Sequence, residues 1–161
     1  MFDLNNIYYP SYAIAIPKAK HIIYIPTQGS VGLFSQAGEE LNLLKYQSIR
    51  SIKQVVLEGY EYKNKLCFYD ALSVTEFNNK KCNLIYEDRL KLLHKVIYSY
   101  LAELNLYVEA INEKVSNPQE LKNFYAYCLT NQYKGVIIKN AYGAYTWGSS
   151  NKDHIELTPK G

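Results

Sequence analysis

The 161-residue chain has little arginine, few cysteines and no long hydrophobic segment. Its longest apolar runs, such as those at 22–25 and 136–138, fall far short of the roughly 20 residues that span a bilayer. Residues 1–6 are polar and lack the basic start of a secretory signal. We therefore expect no membrane association. With 48% apolar and 20% charged residues, the composition is that of a globular domain. A disordered chain, a collagen-like fibre and a coiled coil are excluded.

Cysteine and arginine are both sparse and scattered. The three cysteines, Cys67, Cys82 and Cys128, have no CxxC or Cys/His spacing. This predicts reduced core thiols and an intracellular, reducing compartment rather than disulfides or a metal site. Only Arg50 and Arg89 among the 18 basic residues are arginines, and the net charge is +3. Because arginine forks are the usual readers of phosphates and bases, this balance permits nucleic-acid binding without arguing for it.

Hydrophobic periodicity predicts strands in the first part of the chain and helices afterwards. Alternating or β-branched residues indicate strands at 12–16, 20–35 (a hairpin), 52–62 with 65–69 (a second hairpin), 106–111, 135–139 and 153–157. An amphipathic stripe predicts a helix over 86–104, and a short helix is expected at 39–47. A further helix is predicted from a capping Asn117, followed by Pro118 and Glu120, to about residue 131. The sum is an α+β domain.

Several short sequence stretches are not diagnostic singly, but their order along the chain is. They read AIPKAKH at 15–21, VGLFSQAG at 31–38, VVLEGY at 55–60, CFYDAL at 67–72, YEDRL at 86–90, QYKGVIIK at 132–139 and HIELTPK at 154–160. In this order they resemble the K-x-D-G, S-R-N-G, D-G-E, F-D, Arg-bearing, E-G-v-v-l-K and lysine-rich last motifs of the ATP-dependent DNA ligases. The resemblance implies the nucleotidyltransferase core of that family, an α+β fold of two antiparallel sheets with flanking helices that holds ATP in a cleft.

The resemblance extends over nearly the whole chain and implies roles for single residues. Residues 1–161 are expected to be one ligase-like adenylation domain without the family's oligonucleotide-binding-fold domain. Lys18 corresponds to the nucleophile that becomes adenylated. Nucleotide contacts are expected from Glu58, Phe68, Tyr69 and Lys139. Each of these five has a simpler interpretation: a surface lysine, a strand carboxylate, two core aromatics and a solvated lysine at a strand end.

The charged positions of the motifs depart from the family pattern. The positions that differ are Lys20, His21, Tyr60, Lys134, Glu156 and Thr158. Lys20 and Lys134 replace carboxylates, the ligands that Mg²⁺ prefers. Two like charges ~5 Å apart repel by roughly 3 kcal/mol at an effective dielectric constant of 20. The sequence therefore predicts a degenerate adenylation domain with no metal and no cofactor, and ATP and Mg²⁺ belong only to the alternative of an active enzyme.

A glycine-rich loop at 140–151 carries Tyr142, Tyr145 and Trp147, which could anchor a protein partner or stack on bases. Packing of this loop against itself is the simpler interpretation. The main hypothesis is an inactive ligase-like subunit in a protein complex or a larger, nucleic-acid-containing assembly. One alternative is a minimal nucleotidyltransferase that forms lysyl-AMP at Lys18 and is completed by a partner. The other is a non-catalytic nucleic-acid-binding protein.

Overall fold

The computed structural model describes residues 4–27, 30–35, 37–41, 54–98, 107–145, 147 and 153–159. In chain order the elements are a 3-10 helix (Leu4–Asn6), β1 (Ser11–Ile16), β2 (Lys20–Thr27), β3 (Ser30–Phe34), β4 (Val55–Tyr62), β5 (Lys65–Ser73), α1 (Val74–Asn79), α2 (Tyr86–Val96), β6 (Tyr107–Glu109), β7 (Asn112–Val115), α3 (Pro118–Thr130), β8 (Gly135–Asn140) and β9 (His154–Leu157). They fall into two compact units. The first comprises Met1–Lys18, Asn83–Glu87 and Ile111–Gly161, and the second comprises Ala19–Cys82 and Asp88–Ala110.

The first unit contains a four-stranded antiparallel sheet in the order β7-β1-β8-β9. Alternate residues of its strands pack against α3, which begins where the Asn117 side chain accepts a hydrogen bond from the Glu120 amide at 3.0 Å. The apolar core between sheet and helix consists of Ile7, Ala13, Ala15, Val115, Leu121, Phe124, Cys128, Val136 and Ile138.

The second unit contains a five-stranded sheet in the order β3-β2-β4-β5-β6, in which only the β5–β6 pair is parallel. The β4–β5 hairpin turns at Lys63 and Asn64, whose φ angles of 51° and 62° are those of a two-residue hairpin turn of mirror-image type. The α2 helix packs its apolar stripe on this sheet. The core is formed by Ile22, Tyr24, Leu33, Val55, Leu57, Leu66, Phe68, Ala71, Leu93, Val96, Ile97 and Tyr107.

The predicted α+β class with two antiparallel-rich sheets is confirmed, and so are both early hairpins and the helix after Asn117. The helix predicted over 86–104 is observed at Tyr86–Val96, and its predicted end lies outside the described residues. The same holds for most of the predicted helix at 39–47, although Glu40 forms an isolated bridge with Phe34. The strand expected at 106–111 is shorter, and β7 follows it directly. Three elements were therefore missed: the 3-10 helix at Leu4–Asn6, α1 and β7.

The cysteines are free thiols, with Cys82 and Cys128 buried and Cys67 half-buried. Burial raises the pKa of the Cys67 thiol. Burial, assisted by the nearby Glu113 carboxylate, raises the pKa of Cys128 to about 11. Within the part of the chain that the structure describes, no helix is long and apolar enough to cross a membrane.

Candidate functional site

Three of the residues singled out by the sequence meet at one carboxylate in the second unit. His21 lies on β2, Glu58 on β4 and Tyr69 on β5, and these strands are neighbours in the sheet. The Nε2 atom of His21 lies 2.7 Å from Oε2 of Glu58, and the Tyr69 hydroxyl donates to the same oxygen at 2.8 Å. The side chains of His21 and Glu58 are only 17% and 14% exposed. We call this group the Glu58 cluster.

The backbone beneath the Glu58 cluster is irregular. Glu58 pairs with Asp70 but Gly59 pairs with Phe68, so that Tyr69 is an extra residue on β5, as in a β-bulge. A Cβ atom at Gly59 would lie 2.0 Å from the Cys67 carbonyl oxygen, so only glycine allows the strands to approach this closely. The bulge leaves the Tyr69 hydroxyl within reach of Glu58.

The ring of Tyr60 packs beside the Glu58 cluster. The ring of Tyr60 lies edge-on to His21 with centroids 5.6 Å apart, and the Tyr60 and Tyr69 centroids are 5.8 Å apart. Tyr60 and Tyr69 are 5% and 2% exposed. Tyr60 therefore occupies the position where the resemblance implies the last acid of the D-G-E motif. Its ring packs against His21 and Tyr69.

The structure places Phe68, which the sequence predicts to contact a nucleotide, in the core of the second unit. Its ring has no exposed surface and lies between Tyr24, at a centroid distance of 6.1 Å, and Tyr107, at 5.8 Å. Phe68 is a core residue, which was the simpler of the two interpretations. Tyr69 keeps its place beside Glu58, but its hydroxyl is already engaged there.

Lys139 is buried rather than solvated, which corrects the expectation for a lysine at the end of a strand. It is 2% exposed, and its amino group lies 5.2 Å from the ring centre of Tyr86 and 5.5 Å from that of Tyr145. These are the distances of cation–π contacts. The Tyr145 ring in turn contacts Trp147 at 4.6 Å. Of the three aromatics predicted to bind a partner, Tyr142 is the most exposed, at 59%, and Tyr145 is part of the fold.

The remaining motif positions lie at or near strand ends. Lys18 follows β1, and Lys134 immediately precedes β8; both side chains are exposed. Thr158 follows β9 and is exposed, as is Glu156 within it. In the second unit, Lys20 opens β2 opposite Glu61 and is also exposed.

Sequence reasoning missed a buried ion pair, although both partners lie in the quoted motifs. Arg89 donates from Nε to Oδ1 of Asp70 at 2.8 Å, and its second nitrogen contacts Oδ2 at 3.3 Å. The two residues are 1% and 0% exposed, and Oδ1 of Asp70 also accepts the Ala71 amide at 2.8 Å. This pair ties α2 to β5. The only signal in the sequence was the presence of an acid and an arginine in neighbouring motifs.

The residues present do not fit a divalent cation held by carboxylates. Within the described ranges, no three His, Cys, Asp or Glu side chains are grouped closely enough to hold a metal ion. The motif positions that the resemblance assigns to acids carry Lys20 and Lys134, which supply positive charge instead of oxygen ligands. These two positions therefore cannot supply the carboxylates that a metal-dependent step would require.

Comparison with known proteins identifies the fold and the family. A family model described as "ATP dependent DNA ligase domain" matches residues 33–156. No curated protein sequence matches the chain. Among solved structures, "Pmar-Lig_PreS3" superposes with a TM-score of 0.79 at 15% identity, over 96% of this chain and 43% of that one. Chlorella virus DNA ligase-adenylate gives 0.71 at 16% identity, over 99% and 66%.

A mycobacterial DNA ligase D complexed with ATP and MES gives a TM-score of 0.62 at 16% identity, over 94% of this chain and 56% of that one. The chain thus spans less than two thirds of the length of these three structures. Identities this low establish the shared fold alone, whereas the family model covers most of the chain. The chain belongs to the ATP-dependent DNA ligase domain family and has the fold of its nucleotidyltransferase core.

Proposed function

We propose that this chain is a catalytically inactive member of the family that acts as an interaction or structural subunit. The observation that carries the proposal is the Glu58 cluster. Glu58 is the one acid of the D-G-E motif that the sequence retains, and its Oε2 atom already contacts His21 and Tyr69. A nucleotide hydroxyl that used this oxygen would have to displace those donors.

The energy of displacement is about equal to what one new contact supplies, so the exchange gives no net gain. A hydrogen bond to a charged group contributes about 1.5–3 kcal/mol, and a neutral one about 0.5–1.5 kcal/mol. A ligand hydroxyl would make one such bond while leaving His21 or Tyr69 without its acceptor. His21 occupies the position of the motif glycine, so its ring fills space that the family pattern leaves free of a side chain.

The charges at the motif positions also favour a catalytically inactive chain. A transition state at phosphorus needs cations to balance it and an unprotonated nucleophilic amine. In this chain Lys134 stands where the pattern has an acid, and a second ammonium group near Lys18 supplies no ligand for a metal ion. Lys139 is enclosed by Tyr86 and Tyr145 and is not available to a ligand phosphate.

A partner is expected from the exposed aromatic surface of the first unit. Tyr142, Tyr8 and Leu84 are 59%, 47% and 37% exposed. Their segments are linked, because Tyr86 N donates to Gly143 O at 2.9 Å and Ala141 N donates to Pro10 O at 3.2 Å. Tyrosine is enriched at protein-binding surfaces. Nucleic acid is the second candidate partner: a matched structure is titled "DNA binding with a minimal scaffold: Structure-function analysis of Lig E DNA ligases".

The test is a covalent labelling experiment. The purified chain is incubated with α-labelled ATP and Mg²⁺ or Mn²⁺ and then denatured, and Chlorella virus DNA ligase serves as the positive control. We expect no label on this chain. A label that survives denaturation and disappears in Lys18→Ala would overturn the proposal and favour the runner-up, a minimal nucleotidyltransferase. What supports that runner-up is the exposure of Lys18, two residues after the end of β1.

A further inference from the structure

A lysine of the chain itself occupies a place in the first unit that is suited to a cation. The amino group of Lys114, on β7, donates to Oε2 of Glu87 at 2.7 Å. It also lies 5.8 Å from the ring centre of Tyr12 on β1. The Tyr12 hydroxyl donates to the same carboxylate oxygen at 3.0 Å. A carboxylate beside the face of an aromatic ring is an arrangement that binds ammonium and guanidinium groups.

Tyr142 belongs to the same arrangement and is its most exposed member. The Glu87 amide donates to the carbonyl of Ala141 at 3.0 Å, so Tyr142 directly follows a residue that is bonded to Glu87. The Tyr142 amide donates to Oδ1 of Asn140 at 3.1 Å, and Nδ2 of Asn140 donates to Oδ1 of Asp153 at 3.0 Å. These hydrogen bonds fix the backbone of Tyr142, whereas 59% of the residue is exposed.

The electrostatics of the group also connect Tyr142 with its neighbours. The hydrogen bond to Glu87 is the largest cause that raises the pKa of Lys114, and the charge of Tyr142 adds to it. Burial is the largest cause that raises the pKa of the Tyr12 phenol, and the charge of Tyr142 again adds to it. Tyr142 therefore acts on both groups. We call Glu87, Tyr12 and Tyr142 the Glu87 site, and Lys114 is its occupant in this structure.

Lys114 is held only weakly in the Glu87 site. The side chains of Lys114 and Glu87 are 46% and 25% exposed. Ion pairs this accessible to water contribute little to stability, because water screens the charges and a long side chain loses entropy when it is ordered. An arginine has more to gain in the same place. Its planar guanidinium group can donate two hydrogen bonds to a carboxylate and lie flat on an aromatic ring, neither of which an ammonium group can do.

We propose that the Glu87 site binds an arginine side chain of a protein partner, and that Lys114 occupies the site until this arginine displaces it. The inference rests on the proposed function, because it names the residue by which the partner of an interaction subunit is anchored. Around the site, Tyr8 and Leu84 add exposed aromatic and apolar surface. Arginine and tyrosine are the residues that most often dominate the energetics of protein interfaces.

The Glu87 site is separate from the degenerate motif positions at the other end of β1. Tyr12 pairs with Lys139, whereas Ile16, the last residue of β1, pairs with Gly135. The four residues from Tyr12 to Ile16 correspond to about 13 Å of strand. Arginine binding at the Glu87 site therefore does not involve Lys18, which follows that end of the strand.

The experiment follows the NMR resonances of the full chain during titration with Nα-acetylarginine amide. The matched probes are the lysine analogue and the citrulline analogue, which has nearly the shape of arginine but no charge. We expect the arginine probe to shift resonances of Tyr12 and Tyr142 and to bind at least about threefold more tightly than the lysine probe. The citrulline probe should not bind measurably. Equal binding of the arginine probe and either analogue would overturn the inference.

Removing the occupant is the sharpest test. Lys114→Met keeps an unbranched side chain but vacates the site, and should tighten binding of the arginine probe at least about fivefold. Lys122→Met removes one positive charge from the exposed surface of α3 and should change the affinity less than about twofold. Equal effects of the two changes would mean that diffuse charge governs binding, and they would overturn the inference. So would failure of the arginine probe to bind the Lys114→Met chain.

Two further variants, both made in the Lys114→Met chain, test the site itself. Glu87→Gln should weaken binding of the arginine probe at least about tenfold, because a neutral amide cannot form the charge-assisted hydrogen bonds. Tyr142→Ala should weaken it about threefold by removing one aromatic face. Because Tyr142 is exposed, its truncation provides the second measurement if the Glu87 variant unfolds. An affinity that either folded variant leaves unchanged argues against the assigned site.

The outcome is distinguishable from failure of the proposed function. Covalent labelling by ATP tests the proposed function alone, and the arginine probe carries no phosphate. A chain that takes no label and binds no arginine loses this inference but keeps the proposed function. A labelled chain loses the proposed function whatever its affinity for arginine.

Discussion

His21 and Glu58 are joined side chain to side chain, with Nε2 and Oε2 2.7 Å apart, although 37 residues separate them in the sequence. Their strands, β2 and β4, are neighbours, and His21 pairs with Tyr60, two residues beyond Glu58. The other ring nitrogen of His21, Nδ1, is buried without a hydrogen-bond partner in the described part of the chain. The hydrogen bond to Glu58 is therefore the main polar contact of the His21 imidazole.

A double-mutant cycle tests whether this contact is an energetic one. His21→Ala should lower the free energy of unfolding by about 1–3 kcal/mol, because Glu58 loses a partner in a mostly buried place. Glu58→Ala removes the shared acceptor and should cost at least as much, because Tyr69 also loses its partner. The coupling energy of the two changes, measured by urea unfolding at pH 7, should be about 0.5–3 kcal/mol. Additive effects would mean that the contact contributes nothing to stability.

Charge reversal at Lys139 distinguishes a buried lysine from a solvated one. Lys139→Glu would place a carboxylate against the electron-rich faces of Tyr86 and Tyr145, and should destabilise the protein by about 3–5 kcal/mol, the cost of an uncompensated buried charge. Lys122→Glu makes the same change on an exposed helix surface and should alter stability by less than about 0.5 kcal/mol. Thermal unfolding of the two variants gives the comparison, and similar midpoints would contradict the burial of Lys139.

The sequence predicts those parts of the fold that local chemistry determines. The turn at Lys63 and Asn64 and the helix start at Asn117 are examples, because the residues that form them are adjacent in the chain. The α1 helix could also have been predicted, since Ser73 and Glu76 have the spacing of a capping box. β7 could not have been predicted from its own residues, NEKV, which show no apolar alternation. This strand forms because it pairs with the edge of β1.

The site was predictable residue by residue but not as an arrangement. Motif order identified Glu58, Tyr69 and His21 as positions of interest, yet only strand order and the bulge at Glu58 and Gly59 bring them together. The resemblance implies ligand contact at both Phe68 and Tyr69, and the sequence alone does not show which of these two neighbours lies in the core. The enclosure of Lys139 depends on Tyr86, 53 positions earlier, and no local pattern indicates it.

The capping box of α1 predicts a pH dependence of stability. The Ser73 amide donates to the Glu76 carboxylate at 3.0 Å, and the Glu76 amide donates to the Ser73 hydroxyl at 3.0 Å. Partial burial alone would raise the pKa of Glu76, but the hydrogen bonds from Ser73 and Cys82 and the positive charge of Arg89 together outweigh it and lower that pKa. A lowered folded-state pKa means that the unfolded chain binds the proton more readily. The contribution of Glu76 is thus present above its unfolded pKa of about 4.3 and is lost as the pH falls.

Glu76→Gln isolates this contribution, because an amide retains the reciprocal hydrogen bond but does not titrate. The difference in unfolding free energy between the parent and Glu76→Gln should be constant above about pH 5.5 and should shift against the parent between about pH 4.5 and 3. Ser73→Ala, which removes the cap itself, should cost about 1 kcal/mol at pH 7. A difference that stays flat down to pH 3 would contradict the lowered pKa.

The buried pair of Asp70 and Arg89 should respond asymmetrically to substitution. Arg89→Met leaves the Asp70 carboxylate buried and short of its main cation, so we expect a loss of about 3–5 kcal/mol in the free energy of unfolding. Adding Asp70→Asn should restore part of that loss, because asparagine carries no charge and its oxygen can still accept the Ala71 amide that bonds Oδ1 at 2.8 Å. Arg89→Lys keeps the charge but loses the bidentate contact, so its free energy of unfolding should lie between those of the parent and Arg89→Met. Urea unfolding of the four proteins orders their stabilities, and a double variant no more stable than Arg89→Met would show that the unpaired charge is not the cause.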